Sequence, residues 1–278
     1  MLLVVDVGNT HTVLGLYEAK KLVHHFRVQS ERGRTEDEYH VLFVTLVQLT
    51  GVQPKDITQS IMASVVPPLT DSIVRAVRRA FGHEIVVVGP GIKTGMPILY
   101  ENPREVGADR IVNAIAAYER VRAGVIVVDF GTATTFDCVS NRGEYLGGAI
   151  APGIGLSADA LFTRAARLPK TEIVRPPHVL GRNTVHSMQS GLVFGYAGLV
   201  DGMIERLRAE MGYPCTVLAT GGEAMLIRTE SKTIDDVDPH LTLDGLRILF
   251  ERQKYKAQLS ARAAIERARG RSARRSPG

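Results

Sequence analysis

The chain has 278 residues, 45% of them hydrophobic and 23% charged. That balance excludes disorder for its bulk and is enough for two compact domains. Residues 260–278 carry six arginines and one acid, which accounts for the whole net charge of +5, so the body is neutral and nucleic acid is not an expected partner.

Residues 2–7, 12–17 and 22–28 are apolar, β-rich runs with short polar breaks, read as a three-strand antiparallel meander. A helix is expected from Thr35 to Leu49, stopped by Gly51, then a strand over Ile57–Val66. Pro67-Pro68 opens a second helix that runs to Phe81, Pro being tolerated in a first turn. A short strand, Glu84–Val88, precedes a long loop from Gly89 to Pro103, and such loops are commonly functional. Arg104 to Val121 reads as a helix with Ile111, Ile115 and Tyr118 on one face. Val125–Phe130, Thr134–Ser140 and Glu144–Ala151 then repeat the three-strand pattern. A helix over 153–166, an irregular Pro-rich stretch over 169–186 and a long helix from Ser187 to Met211 follow. A buried strand, Thr216–Ala219, leads into Thr220-Gly221-Gly222; a short strand near Ile234–Val237 and a helix from Thr242 to about Arg252 close the body.

The most informative feature is an internal repeat. Val4-Val5-Asp6-Val7-Gly8-Asn9-Thr10-His11-Thr12 aligns with Val127-Val128-Asp129-Phe130-Gly131-Thr132-Ala133-Thr134-Thr135 at an offset of 123 residues, Thr12 falling on Thr135. Both copies sit between the first two strands of a meander, so one α/β unit is expected twice, with a ligand cleft between the copies. In each turn, glycine lets backbone amides approach a ligand and short hydroxyl or amide side chains add hydrogen-bonding groups. The aspartate fixes a carboxylate at the strand end. Amides and hydroxyls suit phosphate oxygens, and a carboxylate suits magnesium or its waters.

Other motifs carry less. No Gly-x4-Gly-Lys-Ser/Thr occurs. Gly153-Ile154-Gly155-Leu156-Ser157-Ala158 fits a loose dinucleotide pattern, but its preceding strand belongs to a meander, so a Gly-rich helix entry is the expected reading. His24 and His25 are neighbours on one strand and point to opposite faces; His178 and His186 have no partner at a metal-binding spacing, so zinc is not expected. His11 lies inside the first turn, either against phosphate or simply exposed. Cys138 and Cys215 cannot form a disulfide framework and read as small core residues of a reduced, cytoplasmic protein. The start, Met1-Leu2-Leu3-Val4-Val5-Asp6, has no basic region of the signal-peptide kind, and no run is apolar and long enough to cross a membrane.

Several segments together resemble the type III pantothenate kinases, of the actin, sugar-kinase and Hsp70-type ATPase superfamily. They are Asp6-Val7-Gly8-Asn9-Thr10, Gly107-Ala108-Asp109-Arg110, Asp129 to Thr135, Gly148-Ala149-Ile150-Ala151-Pro152-Gly153, Thr220-Gly221-Gly222 and Val237 to Leu246. The similarity spans roughly residues 1–253. It implies duplicated ribonuclease H-like (actin-like ATPase) domains. Each would be a mixed sheet with a three-strand antiparallel meander and flanking helices, with a cleft between the two. Expected boundaries are 1–117 and 118–253, with a basic tail over 254–278 that is partly helical or disordered.

The resemblance implies transfer of phosphate from ATP to pantothenate. Asp6, Val7, Gly8, Asn9, Thr10, His11, Thr12 and Val13 would wrap the ATP phosphates, with Thr132 contacting ATP from the second turn and Thr220-Gly221-Gly222 near adenosine. Asp6 would place Mg2+, and Asp129 would hold a monovalent cation, potassium or ammonium. Tyr100, Gly107, Ala108, Asp109, Arg110 and Thr184 match pantothenate-site positions, with Asp109 the general base. Arg110 would meet the substrate carboxylate or else make a surface ion pair with Glu105 or another acid. A homodimer is implied. By position alone, Asp109 is also explained by the favourable effect of an acid at a helix start, about 0.3–1 kcal/mol. Two other readings are open to the sequence: a non-catalytic regulatory relative whose arginine tail binds nucleic acid, and a different phosphotransferase or phosphohydrolase of the same superfamily.

Overall fold

The computed structural model describes residues 1–89, 91–165 and 167–255. The tail expected over 254–278 lies almost wholly outside the described residues. In chain order the elements are β1 (Leu2–Val7), β2 (His11–Glu18), β3 (Lys21–Gln29), α1 (Glu36–Leu49), β4 (Gln59–Ser64), α2 (Pro67–Phe81), β5 (Val86–Val88) and α3 (Ala108–Val121). The second series is β6 (Val125–Phe130), β7 (Ala133–Val139), β8 (Tyr145–Pro152), α4 (Ile154–Arg164), α5 (Thr184–Met211), β9 (Thr216–Gly221), α6 (Ala224–Arg228) and β10 (Asp236–Val237). A last helix, α7, is described over residues 241–255.

The duplication is visible in the strand order. One sheet runs β3-β2-β1-β4-β5 and the other β8-β7-β6-β9-β10. In each, the meander is antiparallel and the added strands are parallel: β1 pairs with β4, and β6 with β9. Alternation along the two central strands then fixes the layers. Leu3, Val5 and Val7 pack toward α1 and α2, around Tyr39, Phe43, Leu69 and Ile73. Ile126, Val128 and Phe130 pack toward α5 and α6, around Leu192, Val200 and Ile227. The opposite faces share one core: Leu2 and Val4 from the first sheet, Val125 and Val127 from the second, with Ile111, Ile115, Leu246 and Leu249 between them. Helices α3 and α7 are therefore the middle layer of five. Residue 117 lies inside α3, which is common to both halves.

Local signals explain most boundaries. Thr35 and Glu38 form a capping box at the start of α1. Gly82, at φ 72°, ends α2. Two helix starts and one additional helix are the main departures from the sequence reading. Arg104 lies in a short 3-10 turn, Pro103–Glu105, and α3 starts only after Gly107, so the expected helix is split. The long helix starts three residues earlier than expected, at Thr184, because Asn183 caps it by accepting the His186 backbone N–H. Helix α6 is additional, five residues following directly on the Thr220-Gly221-Gly222 turn. The Gly-rich entry to α4 is confirmed: Gly153 is its cap, and β8 before it is antiparallel to β7, so no βαβ unit exists there. Among the described residues no helix is long and apolar enough to cross a membrane.

A candidate phosphotransfer site in the cleft

Strands β1 and β6 end at the same cleft, each delivering an aspartate and then a glycine turn. In the first turn the Gly8 N–H donates to the His11 carbonyl, and in the second the Gly131 N–H donates to the Ala133 carbonyl, both at 3.0 Å. The second turn is one residue shorter, since Val7 pairs with Thr12 but Phe130 with Thr134. The ladder equivalent of Thr12 is thus Thr134 rather than the sequence-aligned Thr135, and both Thr12 and Thr134 are fully buried. The turns meet: the Thr10 and Thr132 hydroxyls lie 2.9 Å apart, across 122 residues of chain.

The cleft between them encloses about 560 Å³. Its lining includes Asp6, Gly8, Asn9, Thr10, His11, Val13, Asp109, Asp129, Thr132 and the Thr220–Gly222 turn. Val7 and Thr12 belong to the first turn but face the α1/α2 side, where Val7 joins the core and the Thr12 hydroxyl bonds Ser30 at 2.8 Å. Tyr100, Gly107, Ala108, Arg110 and Thr184 do not line this cleft. Sequence reasoning missed Arg27, Asp159 and Glu223, which do line it, and Asn113, which is fully buried beside it. Only the last carried a usable signal, since Asn113 follows Asp109 by one helical turn and shares its face.

Asp109 sits in the first turn of α3, where Gly107 supplies no side-chain cap. One carboxylate oxygen accepts the Arg110 backbone N–H at 2.8 Å. The other makes no hydrogen bond among the described residues. A Cβ at Gly107 would collide with the bound oxygen, so that glycine is what allows this rotamer. Arg110 turns the other way. Its Nε donates to Asp137 at 2.7 Å in a buried ion pair that Tyr145 completes through its hydroxyl, also at 2.7 Å. The Arg110 partner is therefore Asp137 in the interior, not a surface acid, while Glu105 instead accepts from Asn102. The Tyr100 ring lies 6.5 Å from that of Tyr145, which connects Tyr100 to the same cluster.

Three carboxylates share the cleft floor, and their electrostatics follow. Burial, then the charges of Asp109 and Asp129, push Asp6 up to about 8. Burial, then Asp109 and Asp137, push Asp129 up to about 7, against the opposing hydrogen bond from Asn113 at 2.9 Å. Burial likewise raises Asp109, against the Arg110 N–H and guanidinium. In the folded protein these acids hold protons that the unfolded chain releases, so they reduce stability as pH rises above the ordinary carboxylate range. Asp6→Asn is accordingly expected to melt higher than the unsubstituted protein at pH 8, by a few degrees on the roughly 2–4 °C per kcal/mol scale of a chain this size. The two should converge near pH 4. A thermal melt series over that range checks it, and a higher melt for the unsubstituted protein at pH 8 would refute the assignment.

Crowded carboxylates of this kind fit a cation with oxygen ligands. Among the described residues no three His, Cys, Asp or Glu side chains form a ready ligand set. A divalent ion here would therefore take one or two carboxylates and complete its shell with phosphate oxygens and water, as magnesium does. Beside Asp129, the buried Asn113 Oδ1 has no hydrogen-bond partner among the described residues, one more hard oxygen available to a cation.

Comparison with known proteins supports the same picture. The sequence pattern of the family described as Type III pantothenate kinase matches residues 2–206. A protein of Myxococcus xanthus (strain DK1622) named Type III pantothenate kinase is 58% identical over 252 residues, covering 91% of this chain and 98% of its own. One of the same name from Anaeromyxobacter sp. (strain Fw109-5) is 59% identical over 254 residues, covering 91% and 100%. A solved structure from Sinorhizobium meliloti, described as a 2-dehydro-3-deoxygalactonokinase, superposes with a TM-score of 0.56 at 11% identity. It covers 90% of this chain and 98% of its own, a likeness of fold.

Proposed function

The chain belongs to the type III pantothenate kinase family, and we propose that the cleft between its two sheets is where ATP hands its terminal phosphate to pantothenate. The reaction is the ATP-dependent phosphorylation of pantothenate in coenzyme A synthesis. The observation that carries its location is the meeting of the two duplicated turns at Thr10 and Thr132, above a floor of aspartates.

In this reading the turn from Asp6 to Val13 and Thr132 hold the phosphates through amides and hydroxyls, and the Thr220–Gly222 turn lies by the adenosine. Asp109 accepts the proton of the pantothenate hydroxyl. The freed oxygen attacks the γ-phosphorus, the bond from that phosphorus to the β–γ bridging oxygen breaks, and ADP leaves with the electron pair. Burial brings Asp109 closer to working pH than an ordinary carboxylate, which makes it a better base. Asp6, and the Asp129–Asn113 pair, would hold Mg2+ and a monovalent cation respectively. Bound there, such cations neutralise phosphate charge and relieve the repulsion among the aspartates.

Pantothenate would sit on the Gly107–Arg110 side, with Tyr100 and Thr184. Arg110 shapes this pocket through Asp137 and Tyr145 as much as by direct contact. A homodimer closes that side. Exposed apolar side chains concentrate along β8, α4 and the stretch leading to α5: Ile150, Leu156, Phe162, Val174, Val179 and Leu180. A second copy of this chain is the natural cover for such a surface. The cytoplasm, where ATP and reduced thiols are found, suits both cysteines, which are free and buried.

The direct experiment is ADP release from ATP and magnesium, with and without pantothenate, in potassium and in sodium buffer. Pantothenate-dependent turnover that requires potassium or ammonium is expected, from protein that sediments as a dimer. Turnover indifferent to the monovalent cation would remove that role from Asp129, and a sedimenting monomer would refute the dimer.

A further inference from the structure

The cleft has an imbalance of charge. Among the described residues five carboxylates line it, Asp6, Asp109, Asp129, Asp159 and Glu223, and Arg27 is the only lysine or arginine that does so. A polyphosphate entering this cleft meets acids on several sides, so whatever cation the protein itself contributes there has a disproportionate effect.

Arg27 reaches the cleft for a simple reason. On the β2–β3 ladder it is the direct partner of Val13, and directly paired residues project to the same face of a sheet. Val13 also lines the cleft but brings no charge. The Arg27 side chain crosses from the first sheet toward the second: its Nη1 lies 3.8 Å from where a Cβ of Gly222 would be, beside the turn expected at adenosine. Yet the Arg27 guanidinium makes no ion pair and no side-chain hydrogen bond among the described residues, although it is a five-donor group. The two arginines of α3, the helix that carries Asp109, are by contrast used up in structure, Arg110 on Asp137 and Arg120 on Asp236 and Asp238. Its field is already felt at the site, opposing the upward shifts of Asp6 and Glu223.

We propose that Arg27 is a nucleotide-binding catalytic residue, its guanidinium fork clasping phosphate oxygens of ATP from the β3 side of the cleft, opposite the glycine turns. A planar fork of N–H donors matches phosphate oxygens in a way an ammonium does not. This rests on the placement of ATP proposed above.

The test is calorimetric titration of the full chain and its Arg27→Ala and Arg27→Lys variants with ATP, ADP and adenosine, in magnesium buffer. Charge-assisted hydrogen bonds imply that Arg27→Ala weakens ATP by roughly tenfold to a hundredfold, ADP by the same or less, and adenosine not measurably. Arg27→Lys should recover part of the loss. The free Arg27→Lys protein, which keeps the charge, should melt with the unsubstituted chain, since the Arg27 side chain makes no bond among the described residues. Unchanged ATP affinity, or an equal loss for ATP and adenosine, would overturn the assignment. Thr132→Tyr, which fills the cleft from the other turn, tests the placement separately. If it loses ATP while Arg27→Ala does not, the Arg27 role alone has failed. If it binds ATP as before, the cleft placement has failed and the Arg27 role with it.

Discussion

Asp109→Asn is expected to lose turnover by about 10²- to 10⁴-fold, the range for removing a positioned general base, while still binding ATP and folding normally. Folding should survive because the local role of Asp109 is helix capping. Its oxygen accepts the Arg110 N–H, and an asparagine carbonyl can accept the same bond, at the cost of the helix-dipole contribution of about 0.3–1 kcal/mol. The catalytic role has no such substitute, because an amide cannot take up the hydroxyl proton. The unsubstituted enzyme should also lose kcat/KM as pH falls through the Asp109 pKa, at a pH above the ordinary carboxylate value because burial raises it. Steady-state kinetics over pH would check both. A variant keeping more than about a tenth of the activity would leave Asp109 as a helix-start acid and nothing more.

Gly245→Ala is expected to destabilise, although helix propensity alone predicts the reverse. Gly245 lies in α7, and replacing a helical glycine with alanine normally gains about 1 kcal/mol. Here a Cβ would collide with the Val112 carbonyl of α3, and a backbone atom cannot swing aside. Overpacking of this sort costs about 1–3 kcal/mol or more. The two helices form the layer between the sheets, so neither can retreat without opening a core that both sheets share. A net loss of about 2 kcal/mol would lower the melting temperature by roughly 4–8 °C, and Gly245→Val should lose more. Since α3 also carries Asp109 and Asn113, activity should fall below what the melting shift explains. An alanine variant that melts higher than the unsubstituted chain would show that α3 and α7 have room to separate.

The local code was readable in the residues. Alternating apolar runs marked both meanders, Pro67-Pro68 opened α2, and the repeat of Asp6–Thr12 at Asp129–Thr135 announced a duplicated unit with two phosphate-type turns. These signals are short-range: period, cap and turn chemistry act within a few residues, so a sequence carries them explicitly. The resemblance to a kinase family rested on the same short motifs.

What only the tertiary structure decided involves residues far apart in the chain. The pairing of β1 with β4 and of β6 with β9, the placement of α3 and α7 between two sheets, and the contact of Thr10 with Thr132 all depend on long-range packing. So does the true equivalence of Thr12 with Thr134, because one turn is a residue shorter and only the ladder reveals it. Arg110 shows the limit most clearly. Beside Asp109 in sequence, it points the other way into a buried pair with Asp137, 27 residues on. Arg27 had no motif around it and became visible only as the single lysine or arginine that, among the described residues, lines a cleft of carboxylates. A charge acquires its chemical meaning from the field around it, and that field is assembled by the fold.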